Sequence, residues 1–331
     1  MIISRTPFRI SLFGGGTDYR PWFREHGGAV IGTTINKYCY ITVRYLPPFF
    51  QHRHRIVYSK VELVREIPEI QHPAVRGVLS ELGVEKGVEI HHDADLPARS
   101  GMGSSSSFTV GLLNAMHALR GRMATKLELS QQAIHIEQDV LKEAVGCQDQ
   151  IWAAYGGFNR IDFAPDGTFK VMPIIIPAGR REELRRSMMM FFTGLPRDAS
   201  VIAQQQIDNL GRRVRQLDVL QGMVDRASEI ICDERAPLNE LGKLMGESWR
   251  LKRELASAVT TPAIDEIYDA ARAAGAVGGK LLGAGGGGFI LFLVEPGKQQ
   301  RVRERLKHLL QVSLDFEQDG SKIVLYQPDG L

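Results

Sequence analysis

The sequence has few of the features that mark secreted, membrane-spanning or nucleic-acid-binding chains. Its 331 residues include only three cysteines, whose odd number and wide spacing predict neither a disulfide framework nor a metal-ligand pattern. So few cysteines favour a reduced, cytoplasmic setting. Lysine and arginine number 41 against 38 aspartates and glutamates, so no strong field favours nucleic acid as a partner.

Long apolar runs are also missing. The longest stretches, such as Phe289–Val294, are far too short to cross a membrane. The N-terminal apolar run contains charged residues and does not resemble a signal peptide. The composition is that of a globular protein, and the length allows two domains. We expect an N-terminal domain over residues 1–180 and a C-terminal domain over 181–331.

Hydrophobic periodicity and turn residues predict an α+β fold. Strands with a few helices come first, followed by a group of helices and a small closing β-α-β unit. The predicted elements that bear on the later argument are a strand over Ile2–Phe13 interrupted at Pro7, a strand over Lys37–Leu46, one helix over Lys126–Leu141, one helix over 198–234, and closing strands over Ser313–Phe316 and Ile323–Tyr326.

Glycine, by contrast, is abundant and clustered. The 34 glycines include three groups at the ends of predicted strands, within Gly14–Asp18, Ser100–Ser107 and Gly283–Gly288. A single cluster is explained by a turn, because glycine adopts positive φ without steric cost. Three clusters at strand ends indicate a ligand site.

The second cluster, Ser100–Ser107, predicts a phosphate-binding turn. Its Gly-x-Gly backbone permits close approach of a ligand, and the helix that follows directs free N–H groups and the positive end of its dipole towards it. Four consecutive serines exceed what an N-cap requires. No Walker A pattern is present, and the G-x-G-x-x-G at Gly283–Gly288 precedes a strand rather than a helix. These two observations exclude a P-loop and a dinucleotide-binding fold.

Two acidic residues have both a structural and a functional interpretation. Glu137, on a predicted helix, is either a solvated carboxylate or a Mg²⁺ ligand. Asp149, at the start of a short predicted helix, either interacts with the helix dipole or serves as a general base. Spacing alone favours the structural interpretation for both.

Taken together, the clusters resemble the GHMP small-molecule kinases, the family of galactokinase, homoserine kinase and mevalonate kinase. The family's P-x-x-x-G-x-G-S-S-[A/S] motif stands at Pro97–Ser106, its N-terminal motif at Arg5–Asp18 and its C-terminal glycine motif at Lys280–Phe289. The resemblance covers essentially the whole chain. It implies a two-domain GHMP kinase fold, with an N-terminal ribosomal-protein-S5-like domain, a C-terminal ferredoxin-like α/β domain with added helices, and the active site in the cleft.

The same resemblance implies ATP and Mg²⁺ as cofactors and assigns roles to the motifs. Asp149 would take or orient the proton of the acceptor hydroxyl, and Arg9 would stabilise that carboxylate or the transferring phosphoryl group. Ser105 and Glu137 would hold Mg²⁺. The implied ATP-binding residues are Ser100, Gly101, Met102, Gly103, Ser104, Ser105 and Ser106. The implied substrate-binding residues are Gly15, Gly16, Thr17, Asp18, Asp149, Gly285, Gly286 and Gly287.

Within the family, four segments look like the D-glycero-D-manno-heptose 7-phosphate kinases: Gly14–Asp18, Thr33–Tyr38, Gln148–Gln150 and Tyr155–Phe158. This implies phosphorylation of the anomeric hydroxyl to the 1,7-bisphosphate, for capsule, lipopolysaccharide or S-layer glycan precursors. Cys147 departs from the Lys that many relatives carry. The alternatives are a kinase of an unphosphorylated sugar, fucokinase- or galactokinase-like, and a non-catalytic sugar- and ATP-binding regulator.

The expected partner is therefore a small-molecule sugar phosphate, with no nucleic acid and no membrane, and a homodimer is left open. A second substrate phosphate needs a cation in the cleft. The candidate cations are Arg20, Arg24, His26, Lys37 and Arg197.

Overall fold

The computed structural model describes residues 1–98, 100–195 and 199–328. Within these ranges the strands form two sheets. The strands are β1 (Ile2–Phe13), β2 (Gly28–Tyr45), β3 (His54–Val57), β4 (Val61–Val64), β5 (Val88–Ala94), β6 (Phe158–Phe163), β7 (Phe169–Pro173), β8 (Met188–Phe192), β9 (Gly278–Leu281), β10 (Phe289–Leu293), β11 (Leu310–Val312), β12 (Phe316–Glu317) and β13 (Lys322–Tyr326). The helices are α1 (Arg20–His26), α2 (Pro73–Glu81), α3 (Ser104–Leu119), α4 (Lys126–Ile134), α5 (Gln148–Tyr155), α6 (Ala178–Ser187), α7 (Ala199–Asp208), α8 (Val214–Cys232), α9 (Leu238–Arg253), α10 (Pro262–Ala274) and α11 (Gln299–Arg305).

The first sheet is organised around the long antiparallel pair β1 and β2. The early part of β2 pairs with β6 and its later part pairs with β5, because 18 residues are enough to serve two neighbours in succession. The main path runs β13-β1-β2-β5-β3-β4. The interruption predicted at Pro7 is a shift of register between Pro7 and Phe8, and the strand itself continues.

Helix α3 is the central helix of this first layer. Its residues from Ser106 to Leu119 are all buried, and the helix packs on β1 and β2. The backbone N–H of Arg9 in β1 donates to the carbonyl of Met102 at 3.0 Å. This bond fixes the turn that precedes α3 against the middle of β1.

The second sheet has the order β11-β8-β10-β9 and is antiparallel throughout. Its strands are almost entirely apolar and form a core with α9 and α10. The helix predicted over 198–234 is two helices where the structure describes it, α7 and α8, with a 3₁₀ turn at Leu210–Arg212 between them.

The predicted closing strands do not form a C-terminal unit of their own. Instead β13 pairs with β1 and β12 pairs with β2, so the end of the chain returns to the first sheet and covers an otherwise open strand edge. The division at residue 180 stays a prediction, with the qualification that residues 316–326 belong to the first sheet. No helix of the described chain is long and apolar enough to span a bilayer.

The helix predicted over Lys126–Leu141 changes character midway. It is α-helical to Ile134 and continues as a π-helix over His135–Val140. Such π segments often mark functional sites, because they re-aim one side chain out of the α-helical register. The π segment here carries Glu137.

Candidate active site

A cleft of about 520 Å³ opens where α3 begins. Its lining includes residues of β1, the first glycine cluster and the start of α5, together with residues of α9, β9 and the turn after β9. Several residues that the sequence analysis assigned to the site line this cleft, among them Arg9, Asp18, Ser104, Ser105, Ser106 and Asp149. Residues far apart in the chain thus converge on one cavity.

Arg9 and Asp149 form a bidentate ion pair in this cleft. The Arg9 Nε donates to Asp149 Oδ1 at 2.7 Å and Nη2 donates to Oδ2 at 2.6 Å. The third guanidinium nitrogen, Nη1, donates to the Gly101 carbonyl at 2.7 Å. Arg9 is therefore locked between the carboxylate and the glycine turn. Because a carboxylate has about four acceptor positions, Asp149 keeps two for a ligand.

The glycine–serine turn divides into residues that face the cleft and residues that anchor it. Gly101, Gly103 and the three serines that follow line the cavity. Ser100 and Met102, also predicted to bind ATP, are buried behind it. Their carbonyls accept hydrogen bonds from the backbone of Phe289 and Arg9, at 3.1 and 3.0 Å. These carbonyls hold the turn in place, and neither residue lines the cavity.

Asp18 is a buried carboxylate at the base of the cleft. Its Oδ1 accepts from the Gly16 N–H at 3.0 Å and its Oδ2 from the Gln148 N–H at 3.4 Å. Burial raises the pKa of Asp18, the Gly16 N–H opposes that shift and the charge of Asp149 adds to it. Gly15 and Gly16 also line the cleft, and their role in binding substrate stays a prediction.

Thr17 requires a correction. It was predicted to bind substrate, but its hydroxyl is fully buried within hydrogen-bond distance of the carbonyls of Gly14 and Ala29, at 2.8 and 2.9 Å. The Ala29 N–H also donates to it at 3.1 Å. These bonds point the side chain into the protein, where it closes the first glycine turn.

Glu137 pairs directly with Ser106 and not with Ser105, whose role as a Mg²⁺ ligand stays a prediction. Ser106 donates to Glu137 Oε2 at 2.8 Å, and Gln150 Nε2 donates to the same oxygen. Ser105 is exposed at the cleft. Successive residues of a helix point about 100° apart, so Ser105 and Ser106 cannot face one carboxylate together.

Glu137 itself is fully buried, which rules out the solvated interpretation. Burial raises the pKa of Glu137, the nearby charge of Glu143 adds to this shift and the hydrogen bonds that it accepts oppose it, and the result is a pKa of about 7. Its Oε1 has no hydrogen-bond partner among the described residues. An unpartnered buried carboxylate oxygen costs stability unless a cation or a proton meets it.

The third glycine cluster also differs from the prediction. Gly285, Gly286 and Gly287 were expected to bind substrate, yet only the preceding Gly283 and Ala284 line the cleft. The Gly286 N–H donates to the Val259 carbonyl at 2.9 Å. A Cβ on Gly285 or Gly287 would meet a neighbouring backbone carbonyl at about 2.6 or 2.5 Å. These glycines pack backbone against backbone and position the turn.

Of the cations predicted for a second substrate phosphate, those in the described chain lie away from this cleft. Arg20 pairs with Asp139 at 2.6 Å and, with Arg24, lines a separate cavity of about 190 Å³. His26 contacts the Trp22 ring, with 4.1 Å between centroids, and Lys37 is half-buried on β2. Arg197 lies outside the described residues, as does Arg99 of the central motif.

Three charged residues of the cleft escaped sequence reasoning: Glu143, Lys252 and Lys280. The sequence could have identified Lys280 as a candidate, because it is the one charged residue in the otherwise apolar stretch between Ala276 and Phe292. Glu143 and Lys252 carried none, since glutamate and lysine are common on helix and loop surfaces. Only the tertiary fold turns them inward.

Phosphoryl transfer needs a cradle for phosphate oxygens and fixed charges around the acceptor. A glycine–serine turn and the Arg9–Asp149 pair line this cleft. The chain belongs to the GHMP kinases. Residues 69–157 match the GHMP kinases N terminal domain and residues 234–311 match the GHMP kinases C terminal region. The protein is accordingly a phosphotransferase with the GHMP kinase fold.

The chain is also similar to individual kinases. The chain is 27% identical over 323 residues to the D-glycero-alpha-D-manno-heptose 7-phosphate kinase of Campylobacter jejuni, covering 92% of this chain and 93% of that one. A solved D-glycero-D-manno-heptose 1-phosphate kinase from Bacteroides thetaiotaomicron superposes with a TM-score of 0.80 at 26% identity, with 98% of both chains covered. The bifunctional fucokinase/GDP-fucose pyrophosphorylase of Arabidopsis thaliana is 26% identical over 91% of this chain but only 30% of its own length.

Proposed function

We propose that the protein transfers the γ-phosphoryl group of ATP to the anomeric hydroxyl of D-glycero-D-manno-heptose 7-phosphate. The product is the 1,7-bisphosphate, a precursor for surface polysaccharides, and the reaction takes place in the cytoplasm. The observation that carries the transfer step is the bidentate Arg9–Asp149 pair beside the Gly101–Ser106 turn. The substrate assignment is supported by similarity, over nearly the full length, to two kinases of heptose phosphates.

ATP fits the cleft in one direction. The free N–H groups at the start of α3 suit its phosphates. The cleft is also lined by His72 and His92, whose rings contact Phe108 with centroid distances of 4.7 and 4.9 Å. Burial lowers the pKa of both histidines, which favours neutral rings. A neutral aromatic wall suits a purine base.

The acceptor sugar then lies between Asp18 and Asp149. Asp18 offers carboxylate oxygens for sugar hydroxyls, and Asp149 accepts or orients the proton of the anomeric hydroxyl. Arg9 holds Asp149 in position and connects it to the phosphate turn through the Gly101 carbonyl. Donor and acceptor are thereby aligned by one guanidinium group.

Mg²⁺ fits the buried acidic position. Within the described chain no group of three or more His, Cys, Asp and Glu side chains forms a metal cluster. Mg²⁺ in kinases needs only one or two protein oxygens, because waters and phosphate oxygens complete its coordination. The unpartnered Glu137 Oε1 and the Ser106 hydroxyl would supply them, with Glu143 adding negative charge nearby. The ion would neutralise charge on the ATP phosphates.

Replacing Glu137 with Gln is expected to abolish most Mg²⁺-dependent turnover while sugar binding persists. In the wild type, Mg²⁺ activation should weaken below about pH 7, because a proton competes for the same carboxylate. The raised pKa also means that the metal-free protein loses stability as the pH rises through about 7, and Glu137→Gln should remove that loss. ADP release against Mg²⁺ concentration, and denaturant unfolding, at pH 6 and pH 8 measure both effects.

The control for this variant is Glu247→Gln, which alters an exposed glutamate on α9. It should leave Mg²⁺ activation and the pH dependence of unfolding unchanged. An equal loss of sugar binding in Glu137→Gln, or a folding defect at both pH values, would assign Glu137 a purely structural role.

A screen of acceptors by ADP release tests the substrate. We expect turnover with D-glycero-D-manno-heptose 7-phosphate and far poorer turnover with mannose, fucose and galactose, since a substrate phosphate adds binding energy that a free sugar lacks. A preference for an unphosphorylated sugar would favour the fucokinase-like alternative, which the similarity to part of the bifunctional fucokinase/GDP-fucose pyrophosphorylase of Arabidopsis supports. Binding of ATP and sugar without turnover would favour a regulator.

A further inference from the structure

Two buried lysines reach the cleft from the side of the second sheet. Lys280, in β9, is 3% exposed, and its Nζ donates to the Leu12 carbonyl of β1 at 2.8 Å. Lys252, in the last turn of α9, is 7% exposed, and its Nζ donates to the Gly283 carbonyl. Both side chains line the cavity.

The surroundings of Lys280 are positive. No carboxylate among the described residues lies within ion-pair distance of it, and the charges that act on it are those of Lys252 and Arg9. Burial and these neighbours lower the pKa of Lys280 well below its usual range. Burying an ammonium group without a counter-charge is costly, and a like charge adds to the cost.

A purely structural tether does not explain this arrangement. One hydrogen bond to Leu12 uses one of the three donors of the ammonium group, so two remain for a ligand in the cavity that this side chain lines. A neutral donor would serve a tether at lower cost. Gln206 shows this next to Lys252, because its Nε2 donates to the Ala284 carbonyl at 2.8 Å without any charge. What a lysine pair adds is affinity for an anion.

We propose that Lys252 and Lys280 together bind a phosphoryl group in the cleft. The proposal rests on the proposed function only in assuming that phosphorylated ligands enter this cavity. The phosphoryl group has two sources, the γ-phosphoryl of ATP or the phosphate that the sugar already carries. Either dianion would supply a counter-charge for Lys280 and would satisfy its remaining donors.

The test uses Lys252→Met and Lys280→Met in the full-length protein, which keep most of the side-chain volume and remove the charge. Calorimetry measures the dissociation constants of ATP and of ADP without sugar, and steady-state kinetics measures KM for the phosphorylated and unphosphorylated sugar. Loss of a charge-assisted contact should weaken binding of the group concerned on the order of ten- to a hundredfold.

The pattern of losses distinguishes the sources. If the pair binds the γ-phosphoryl group, ATP affinity falls while ADP affinity is unchanged. If it binds the sugar's own phosphate, ATP affinity is retained, KM for the sugar phosphate rises, and the preference over the free sugar disappears. Either pattern supports the proposal. Unchanged ATP, ADP and sugar-phosphate constants in both variants would overturn it and leave the lysines as tethers.

Two further variants separate charge loss from structural damage. Lys243→Met removes an exposed lysine of the same helix and should behave as wild type in every measurement. Gln206→Met removes the neutral tether and should lower the melting temperature without altering the ATP-to-ADP affinity ratio. If Lys280→Met does not fold, Lys252→Met decides the question. The ATP and ADP measurements need no acceptor, so they stand even if heptose 7-phosphate proves not to be the substrate.

Discussion

Replacing Asp149 with Asn is expected to lower kcat by about 10²–10⁴-fold while ATP affinity changes little. Asparagine keeps the shape of the side chain but cannot accept the proton of the anomeric hydroxyl. The carboxylate lies 2.6–2.7 Å from the Arg9 guanidinium and is open to the cleft on its other acceptor positions. Single-turnover phosphoryl transfer, with ATP binding measured separately, tests this expectation.

Arg9→Ala should be at least as harmful, because it removes the charge that holds both Asp149 and the Gly101 carbonyl. If the two side chains act as one unit, the double variant should be little worse than either single variant. Asp162→Asn is the matched control, since Asp162 forms an Arg–Asp pair with Arg160 on β6, 2.7 Å apart and away from the cleft. Near-wild-type turnover in Asp149→Asn would remove it as the base and leave positioning as the mechanism.

Much of the fold was predictable because it is locally encoded. Apolar runs and turn residues predicted the strand at Ile2–Phe13 and the start of α3, and the structure contains both. The return of β13 to β1 was not predictable. Edge pairing depends on which strand is left uncovered in three dimensions, and a short strand pattern carries no information about its partner.

The roles of the site residues could not be predicted from local sequence in the same way. Spacing alone could not choose between a structural and a functional role for Asp149, and the motifs of the family supplied the expectation. Which of Ser105 and Ser106 faces Glu137 depends on how α3 is rotated relative to that carboxylate. Two adjacent serines in the sequence give no information about this rotation. Glu137 is buried within the π segment, and no residue pattern in the helix predicts the change from α-helix to π-helix.

The largest effect on nucleotide binding is expected from Gly103→Val. Gly103 has a φ of 74° and a ψ of 28°, in the left-handed region, immediately before α3. A Cβ there would lie 3.2 Å from Arg9 Cγ and 3.4 Å from Asp149 Oδ2. The branched valine would extend further into the space of the Arg9–Asp149 pair and of the phosphates. We therefore expect no measurable ATP binding by calorimetry and no turnover.

Backbone strain at a glycine cannot by itself abolish ATP binding. A glycine at the other end of α3 provides the comparison. Gly121, just past the end of α3, has a φ of 70°, and a Cβ there would meet nothing within 4 Å. Gly121→Val should pay the same left-handed penalty, roughly 1–2 kcal/mol in the free energy of unfolding, yet bind ATP as the wild type does. A Gly103→Val protein that is folded, as destabilised as Gly121→Val and still able to bind ATP would show that the nucleotide phosphates lie elsewhere than at the Ser100–Ser107 turn.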